Sequence, residues 1–166
     1  MPALDVRFVD PDDVIAQPLI DDLAREYDER YGDIFGEPAS AELQRYPSAE
    51  FAPPSGAFVV LAEGGEVVAG GAFKRYDATT AELKRIWTHP GHRGRGLGRR
   101  VVAELEAEAL RRGYTDVYLT TGPRQPEAFR LYLAAGYTPQ FDPDRYGEEL
   151  AAHAFTKSLV TVEVPA

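Results

Sequence analysis

The sequence predicts one α/β domain, residues 1–166, built on a mixed sheet with helices on both faces. Its length suits a single domain, and 44% hydrophobic residues are enough for a packed core. Short apolar runs separated by turns between residues 57 and 88 indicate an antiparallel meander. A strand, a helix and a second strand follow between residues 80 and 121, and this unit implies a right-handed crossover with parallel pairing.

The first third of the chain predicts a strand and a helix. Residues 4–9 alternate between apolar and polar side chains, as a strand does. A helical stripe then runs from Val14 to about Tyr31, and Pro18 either divides this helix or shifts its true start. A short helix is expected at residues 40–45, and a loop at residues 47–55.

The middle of the chain predicts the meander. Strands are expected at residues 57–62 and 67–75, joined by a hairpin turn whose two glycines suit positive φ. A third strand at residues 80–88 follows a second turn.

The second half alternates between helices and strands. A long helix is predicted at residues 96–112, a strand at 116–121 and a helix that opens on Pro126 and runs to about 135. A glycine follows each helix, where left-handed backbone often ends one. Two last strands are expected at residues 137–141 and 152–160.

Composition excludes several classes of function. The chain has no cysteine, so it has no disulfide, no thiolate nucleophile and no cysteine-ligated zinc. A net charge of −9 argues against non-specific nucleic-acid binding. The start does not resemble a signal peptide, and no apolar run is long enough to span a bilayer. We therefore expect a cytoplasmic protein with neither a membrane nor a nucleic-acid partner.

The charges are distributed unevenly along the chain. Acidic residues concentrate at residues 5–50, whereas residues 84–100 are basic. This split fits an anionic cofactor bound at the basic segment and a cationic second substrate near the acids. The alternative is that the acids serve only to keep the protein soluble.

A glycine-rich turn at residues 89–98 lies between a predicted strand and a predicted helix. Gly94, Gly96 and Gly98 allow close approach to the main chain, and the amide groups at the helix start are unsatisfied. Arg93 and Arg95 add charged donors. We interpret the segment as a pyrophosphate-binding turn, although a glycine turn with surface arginines and no ligand would share these features. It matches neither a Walker loop nor a G-x-G-x-x-G fingerprint.

His89 and His92 lie three residues apart in this turn. They could suggest a metal, but we expect no third ligand nearby and there is no cysteine. We therefore predict no metal site.

Two segments resemble a known family. Arg93–Gly98, preceded by residues 82–90, resembles motif A of the GCN5-related N-acetyltransferases, R/Q-x-x-G-x-G/A. Residues 128–137 resemble the family's downstream pattern, A-x-x-L-Y-x-x-x-G-F/Y. The resemblance extends over residues 57–141, about half of the chain.

The resemblance implies acetyl-CoA as co-substrate and a largely antiparallel sheet. Main-chain amides of the turn would hold the pyrophosphate, and pantetheine would lie where the parallel strands splay apart. Gln125 departs from the asparagine that often binds pantetheine in the family, which puts the geometry of that contact in doubt. The residues assigned to cofactor binding are Ile86, Trp87, Thr88, Arg93, Gly94, Arg95, Gly96, Leu97, Gly98, Arg99, Gln125 and Phe129.

The same resemblance suggests two catalytic residues. Tyr132 would be the general acid that protonates the leaving thiolate, whereas spacing alone would favour a packed aromatic with a satisfied hydroxyl. Glu82 would be the general base that takes the ammonium proton, through a water. Its alternatives are a cross-strand partner for Lys84 or Arg85, or an anion that binds the acceptor.

The expected reaction is acetyl transfer to a small primary amine by direct attack in a ternary complex. The alternatives are a non-catalytic acyl-CoA sensor and a protein or peptide N-acetyltransferase. A homodimer is an expectation from the family only. The acids at residues 26, 28, 29 and 33 favour a cationic or amino-acid-like acceptor. The wall of the acceptor site is assigned to Tyr27, Tyr31 and Phe35.

Overall fold

The computed structural model describes residues 3–34, 36–44, 46–149 and 151–160, and its main elements follow the predicted order. The strands are β1 (Asp5–Phe8), β2 (Ala57–Glu63), β3 (Glu66–Arg75), β4 (Thr80–Thr88), β5 (Asp116–Thr121), β6 (Thr138–Pro139) and β7 (His153–Ser158). The α-helices are α1 (Gln17–Tyr31), α2 (Leu97–Arg111) and α3 (Pro126–Ala134).

The strands form one mixed sheet in the order β1-β2-β3-β4-β5-β7-β6. The pairing of β4 with β5 is parallel, and the other neighbours are antiparallel. The predicted mixed sheet, with a meander that leads into a parallel pair, is therefore confirmed.

Helices cover both faces of the sheet, as predicted. In β2, Val59 joins the apolar cluster that contains α2, whereas Phe58 and Val60 join the cluster that contains α1. Side chains that alternate along a strand point to opposite faces, so this one strand contributes to both layers. Within the described ranges, no helix combines the length and the apolar character that crossing a bilayer requires.

Three predicted elements differ in detail. Pro18 lies in the first turn of α1, which begins after a 3-10 helix at Val14–Ala16, so proline shifts the start rather than dividing the helix. The predicted loop at 47–55 contains a 3-10 helix, Ser48–Phe51. The strand predicted at 137–141 is only two residues long, and Pro139 at its end has no N–H to donate to a ladder.

A β-bulge in β4 positions the side chains that face the site. Lys84 pairs with Ala72 and Trp87 pairs with Gly70, so two residues of β4 lie opposite the single residue Gly71. One of the two, Arg85, has a φ of 61°, which is unusual for a residue other than glycine. The extra residue resets the alternation of β4, and Trp87 therefore packs in the α1 layer.

The parallel strands part early. β4 and β5 pair at only three positions, from Thr80↔Asp116 to Glu82↔Tyr118, although β4 continues to Thr88 and β5 to Thr121. Beyond that point β4 pairs with β3 and β5 pairs with β7. The two strands diverge toward their carboxyl ends and leave a gap in the middle of the sheet.

Candidate active site

The glycine turn ends at the start of α2 with an open, amide-lined surface. Gly94 and Gly96 have φ values of 81° and 76°, in the left-handed region that favours glycine. The first hydrogen bond of α2 joins Arg100 N–H to Gly96 O at 3.1 Å, so the amides of residues 97–99 precede the helical ladder. A Cβ at Gly94 or Gly96 would meet no atom within 4 Å, so space above the turn is open. This geometry suits a bound anion.

The arginines of the turn differ in their partners. Arg95 forms a 2.5 Å ion pair with Glu63, and Arg93 lies 3.3 Å from Glu26. Arg99 is exposed and makes no ion pair with any residue that the structure describes. Arg99 is therefore the least restrained cation beside the open amides.

A cleft of about 890 Å³ lies where β4 and β5 part. It contains several of the predicted catalytic, acceptor and cofactor residues, which are Tyr27, Tyr31, Glu82, Ile86, Gln125 and Tyr132. Trp87, Thr88, Phe129 and residues 93–99 do not line it. Phe35 lies outside the described residues.

Tyr132 is buried in the cleft wall with 6% of its surface exposed. Burial raises the pKa of its phenol well above the ordinary value, and the neighbouring Tyr27 adds to this effect. Its hydroxyl makes no hydrogen bond within the described part of the chain. The phenol therefore stays protonated at neutral pH. A tyrosine with a purely structural role would be expected to hydrogen-bond through its hydroxyl, and Tyr132 does not do so within the described residues.

Glu82 is buried on β4 between two lysines. Its carboxylate lies 3.5 Å from Lys74 Nζ and 3.6 Å from Lys84 Nζ. The sequence predicts Lys84 as a cross-strand partner, but Lys84 lies two residues further along the same strand, and the partner across the sheet is Lys74, which β3 brings into register. Both ammonium groups also lie over the ring of Tyr46, at 4.7 and 4.9 Å from its centroid.

The β4 residues assigned to the pantetheine arm use their side chains elsewhere. The indole of Trp87 is buried in the α1 layer and donates to Asp22 Oδ2 at 2.7 Å. Ile86 points to the other face, where its Cδ1 would lie 2.6 Å from a Cβ placed on Gly71. The main-chain groups of residues 86–88 therefore remain the part of this segment that can bind a pantetheine arm.

Gln125 and Tyr31 brace the loop between β5 and α3. Gln125 Oε1 accepts from Gly122 N at 2.9 Å and from the Tyr31 hydroxyl at 3.1 Å. The Tyr31 hydroxyl in turn accepts from Arg124 N at 3.1 Å. Because these contacts occupy Oε1, the side-chain amide nitrogen is the group of Gln125 that can donate to a ligand. Phe129 stacks on Tyr146 with ring centroids 4.4 Å apart, outside the cleft.

A family model, the Acetyltransferase (GNAT) family, matches residues 20–137, which is more than two thirds of the chain. The chain belongs to this family. It is therefore an N-acetyltransferase that uses acetyl-CoA as its co-substrate.

Known proteins agree in sequence and in fold with this GNAT protein. It is 28% identical over 134 residues to an IAA acetyltransferase from Azospirillum brasilense, covering 80% of this chain and 86% of that protein. A Klebsiella pneumoniae structure, provisionally assigned as an acyl-CoA N-acyltransferase, is 26% identical with a TM-score of 0.71, covering 95% and 98% of the two chains. The PaiA N-acetyltransferase of Thermoplasma acidophilum, solved with coenzyme A, is 15% identical with a TM-score of 0.72, covering 94% and 99%.

The acids at residues 26, 28, 29 and 33, which suggested a cationic or amino-acid-like acceptor, do not line the cleft of the GNAT protein. Glu26 pairs with Arg30 at 2.6 Å and Glu29 pairs with Arg25 at 2.7 Å. Sequence reasoning missed several residues that do line it, because they are brought there by strand pairing and by loops. They are Lys74, Lys84, Arg85, Tyr46, Tyr76, Tyr118, Thr120 and Thr121.

Thr121 is the missed residue with the clearest signal for a ligand. It is buried at the end of β5, and its hydroxyl has no hydrogen-bond partner among the described residues. A buried hydroxyl without a partner costs free energy, so a polar group of a bound substrate would stabilise it.

The expectation that no third ligand lies near His89 and His92 is wrong. The β2–β3 hairpin brings Glu66 to 3.7 Å from His89 Nε2 and 3.5 Å from His92 Nε2. However, Nδ1 of His89 accepts from Gly91 N, and Nδ1 of His92 accepts from the Arg95 guanidinium. In a neutral imidazole the other nitrogen then carries the proton. Each Nε2 is therefore a donor toward Glu66 rather than a free lone pair for a metal.

Proposed function

We propose that the protein transfers the acetyl group of acetyl-CoA to the primary amine of a small acceptor by direct attack in a ternary complex. The observation that carries this proposal is the early parting of β4 and β5, which opens a cleft lined by both Tyr132 and Glu82. A protonated phenol and a carboxylate in one cleft are the acid and base that acyl transfer to an amine needs.

Acetyl-CoA, the acetyl donor, binds along one side of the cleft between β4 and β5. The amides of residues 97–99, at the start of α2, hold the pyrophosphate, and Arg99 adds a charged donor. The pantetheine arm follows the main chain of Ile86–Thr88 into the gap. Thr121 Oγ1 and the amide nitrogen of Gln125 are polar groups available to it on the opposite strand and loop.

The chemical step balances without any further reactant. The neutral amine attacks the thioester carbonyl, which forms a C–N bond and places a negative charge on the carbonyl oxygen. A main-chain N–H at the bulge of β4 stabilises this oxyanion. The nitrogen, which became positively charged on attack, loses a proton to the Glu82 relay. The C–S bond then breaks, the sulfur keeps the electron pair, and Tyr132 gives it a proton. The products are the N-acetylated amine and coenzyme A.

Glu82 takes the proton that the acceptor amine must lose. An alkylammonium has a pKa of about 10.4, so a base or a relay is required at neutral pH. Glu82 is buried beside the gap, and a water between it and the amine completes the relay. The phenolate of Tyr132 regains its proton from this relay at the end of the cycle.

A thiol-release assay tests the proposal directly. Because the chain has no cysteine, a thiol reagent detects only the coenzyme A that the reaction sets free. We expect thiol release that depends on an added small amine, with the acetylated amine as the product by mass spectrometry. Binding of acetyl-CoA without release for any small amine would overturn the proposal, and turnover confined to peptides would assign the site to protein acetylation.

A further inference from the structure

Lys74 is a buried cation with distant partners. It is 9% exposed on β3, and its ammonium group lines the cleft. Its contacts are a 3.3 Å hydrogen bond to Arg75 O, the Glu82 carboxylate at 3.5 Å and the ring of Tyr46 at 4.7 Å. An ammonium has three donors, and its hydrogen bonds are usually about 2.7–3.2 Å long, so the acceptors of Lys74 among the described residues lie just beyond that range. An anion that approached the ammonium group more closely than Glu82 does would stabilise this buried charge further.

The carboxylate nearest Lys74 is shared. Glu82 also lies 3.6 Å from Lys84 Nζ, so its single negative charge serves two ammonium groups. Across the described lining of the cleft, basic side chains outnumber acidic ones by three to two. The second acid, Glu37, is exposed. The cleft therefore suits an anionic group on the acceptor, which agrees with the amino-acid-like alternative of the sequence analysis rather than with a purely cationic amine.

We propose that the acceptor is an α-amino acid whose carboxylate binds Lys74 while its amine faces Glu82. This inference rests on the proposed function and names the acceptor class for the same site. Lys74 and Glu82 are directly paired in the register of β3 and β4. A cation and a carboxylate side by side complement an amine and a carboxylate that are attached to one carbon.

The remaining wall suits an apolar or aromatic side chain. Tyr76 and Tyr118 stack with ring centroids 4.5 Å apart, and both line the cleft beside Glu82. The ring of Tyr46 lies under both lysines. Aromatic faces of this kind bury flat or apolar groups without needing a hydrogen bond from them.

The test compares acceptors that differ only in the carboxylate. Phenylalanine, leucine and serine are each assayed as the free acid, the amide and the decarboxylated amine, with thiol release as the readout. Values of kcat/KM are corrected for the fraction of neutral amine, because removing the carboxylate changes the amine pKa. We expect the free acids to exceed the amides by at least about tenfold, as a charge-assisted hydrogen bond in a buried site does. We also expect phenylalanine to exceed serine.

Two variants assign the preference to one side chain. K74M should reduce the acid-to-amide ratio to about one, whatever its effect on the absolute rates through the contact of Lys74 with Glu82, and K74R should retain most of the preference. K157M is the matched control, because Lys157 pairs with Glu106 away from the cleft and its loss should not move the ratio.

The outcomes separate the two proposals. Equal turnover of acids, amides and simple amines would overturn the acceptor class and leave the N-acetyltransferase intact. A preference that K74M does not change would overturn the role of Lys74. If no amine of any class is acetylated, the proposed function itself fails, and the acceptor class fails with it. The comparison in the wild-type protein decides the question even if K74M does not fold.

Discussion

Replacing Tyr132 with phenylalanine is expected to separate catalysis from stability. The hydroxyl has no hydrogen-bond partner among the described residues and lies at the wall of the cleft, where water can solvate it, so its removal costs the fold little. Removing it should therefore leave Tm nearly unchanged, within the roughly 2–4 °C that 1 kcal/mol represents in a chain of this size. A general acid contributes about 10²- to 10⁴-fold to the rate, so kcat should fall by that factor while acetyl-CoA affinity stays the same.

Tyr137 provides the matched control. Its ring lies 5.7 Å from that of Tyr132, but its hydroxyl donates to Glu106 Oε2 at 2.7 Å. Tyr137→Phe should therefore lower the free energy of unfolding by about 1.5–3 kcal/mol and leave kcat nearly unchanged. The measurements are thermal unfolding, acetyl-CoA titration and single-turnover thiol release, which reports the chemical step. A single-turnover rate for Tyr132→Phe within about threefold of wild type would refute the general-acid assignment.

Three further changes test other parts of the site. Gly96→Ala places a side chain at a φ of 76°, a conformation that costs about 1–2 kcal/mol for a residue other than glycine. Acetyl-CoA affinity, measured by calorimetry, should therefore fall about tenfold. Unchanged affinity would show that this turn does not bind the pyrophosphate. Glu82→Gln should lower kcat more than it raises KM if Glu82 accepts the proton, and a change in KM alone would make it an acceptor-binding group. Burial by itself raises the pKa of Asp22, but hydrogen bonds from Trp87 and Arg25 lower it by more. The net result is a pKa below the ordinary value of an aspartate. Asp22 therefore stabilises the fold above its unfolded pKa of about 3.9, and this contribution is lost as pH falls through the lower folded value. Fluorescence of the single tryptophan should follow this titration, and Asp22→Asn should abolish the step.

The local elements were predictable from short stretches of sequence. The bounds of β4 and β5 match the predicted strands, and α2 and α3 begin within one residue of their predicted starts. Alternation, helical spacing, proline at a first turn and glycine after a helix are properties of neighbouring residues, so they can be read without knowing what the segment packs against. The glycine turn was predictable for the same reason, because strand, turn and helix are contiguous. The positive φ values of Gly94 and Gly96 agree with that interpretation.

The character of the cleft was decided only by the tertiary structure. Pairing of β3 with β4 brings Lys74 opposite Glu82. The bulge at Arg85 then determines which residues that follow it in β4 point to the same face of the sheet as this pair. Neither is visible in the sequence of β4 alone, because the partners are distant residues and a shift of one position in register reverses every face. The acids of residues 5–50 include Glu37, which lines the cleft, whereas Glu26 and Glu29 form salt bridges along α1. Strand register adds a buried lysine to the cleft, which the distribution of charge along the chain does not reveal.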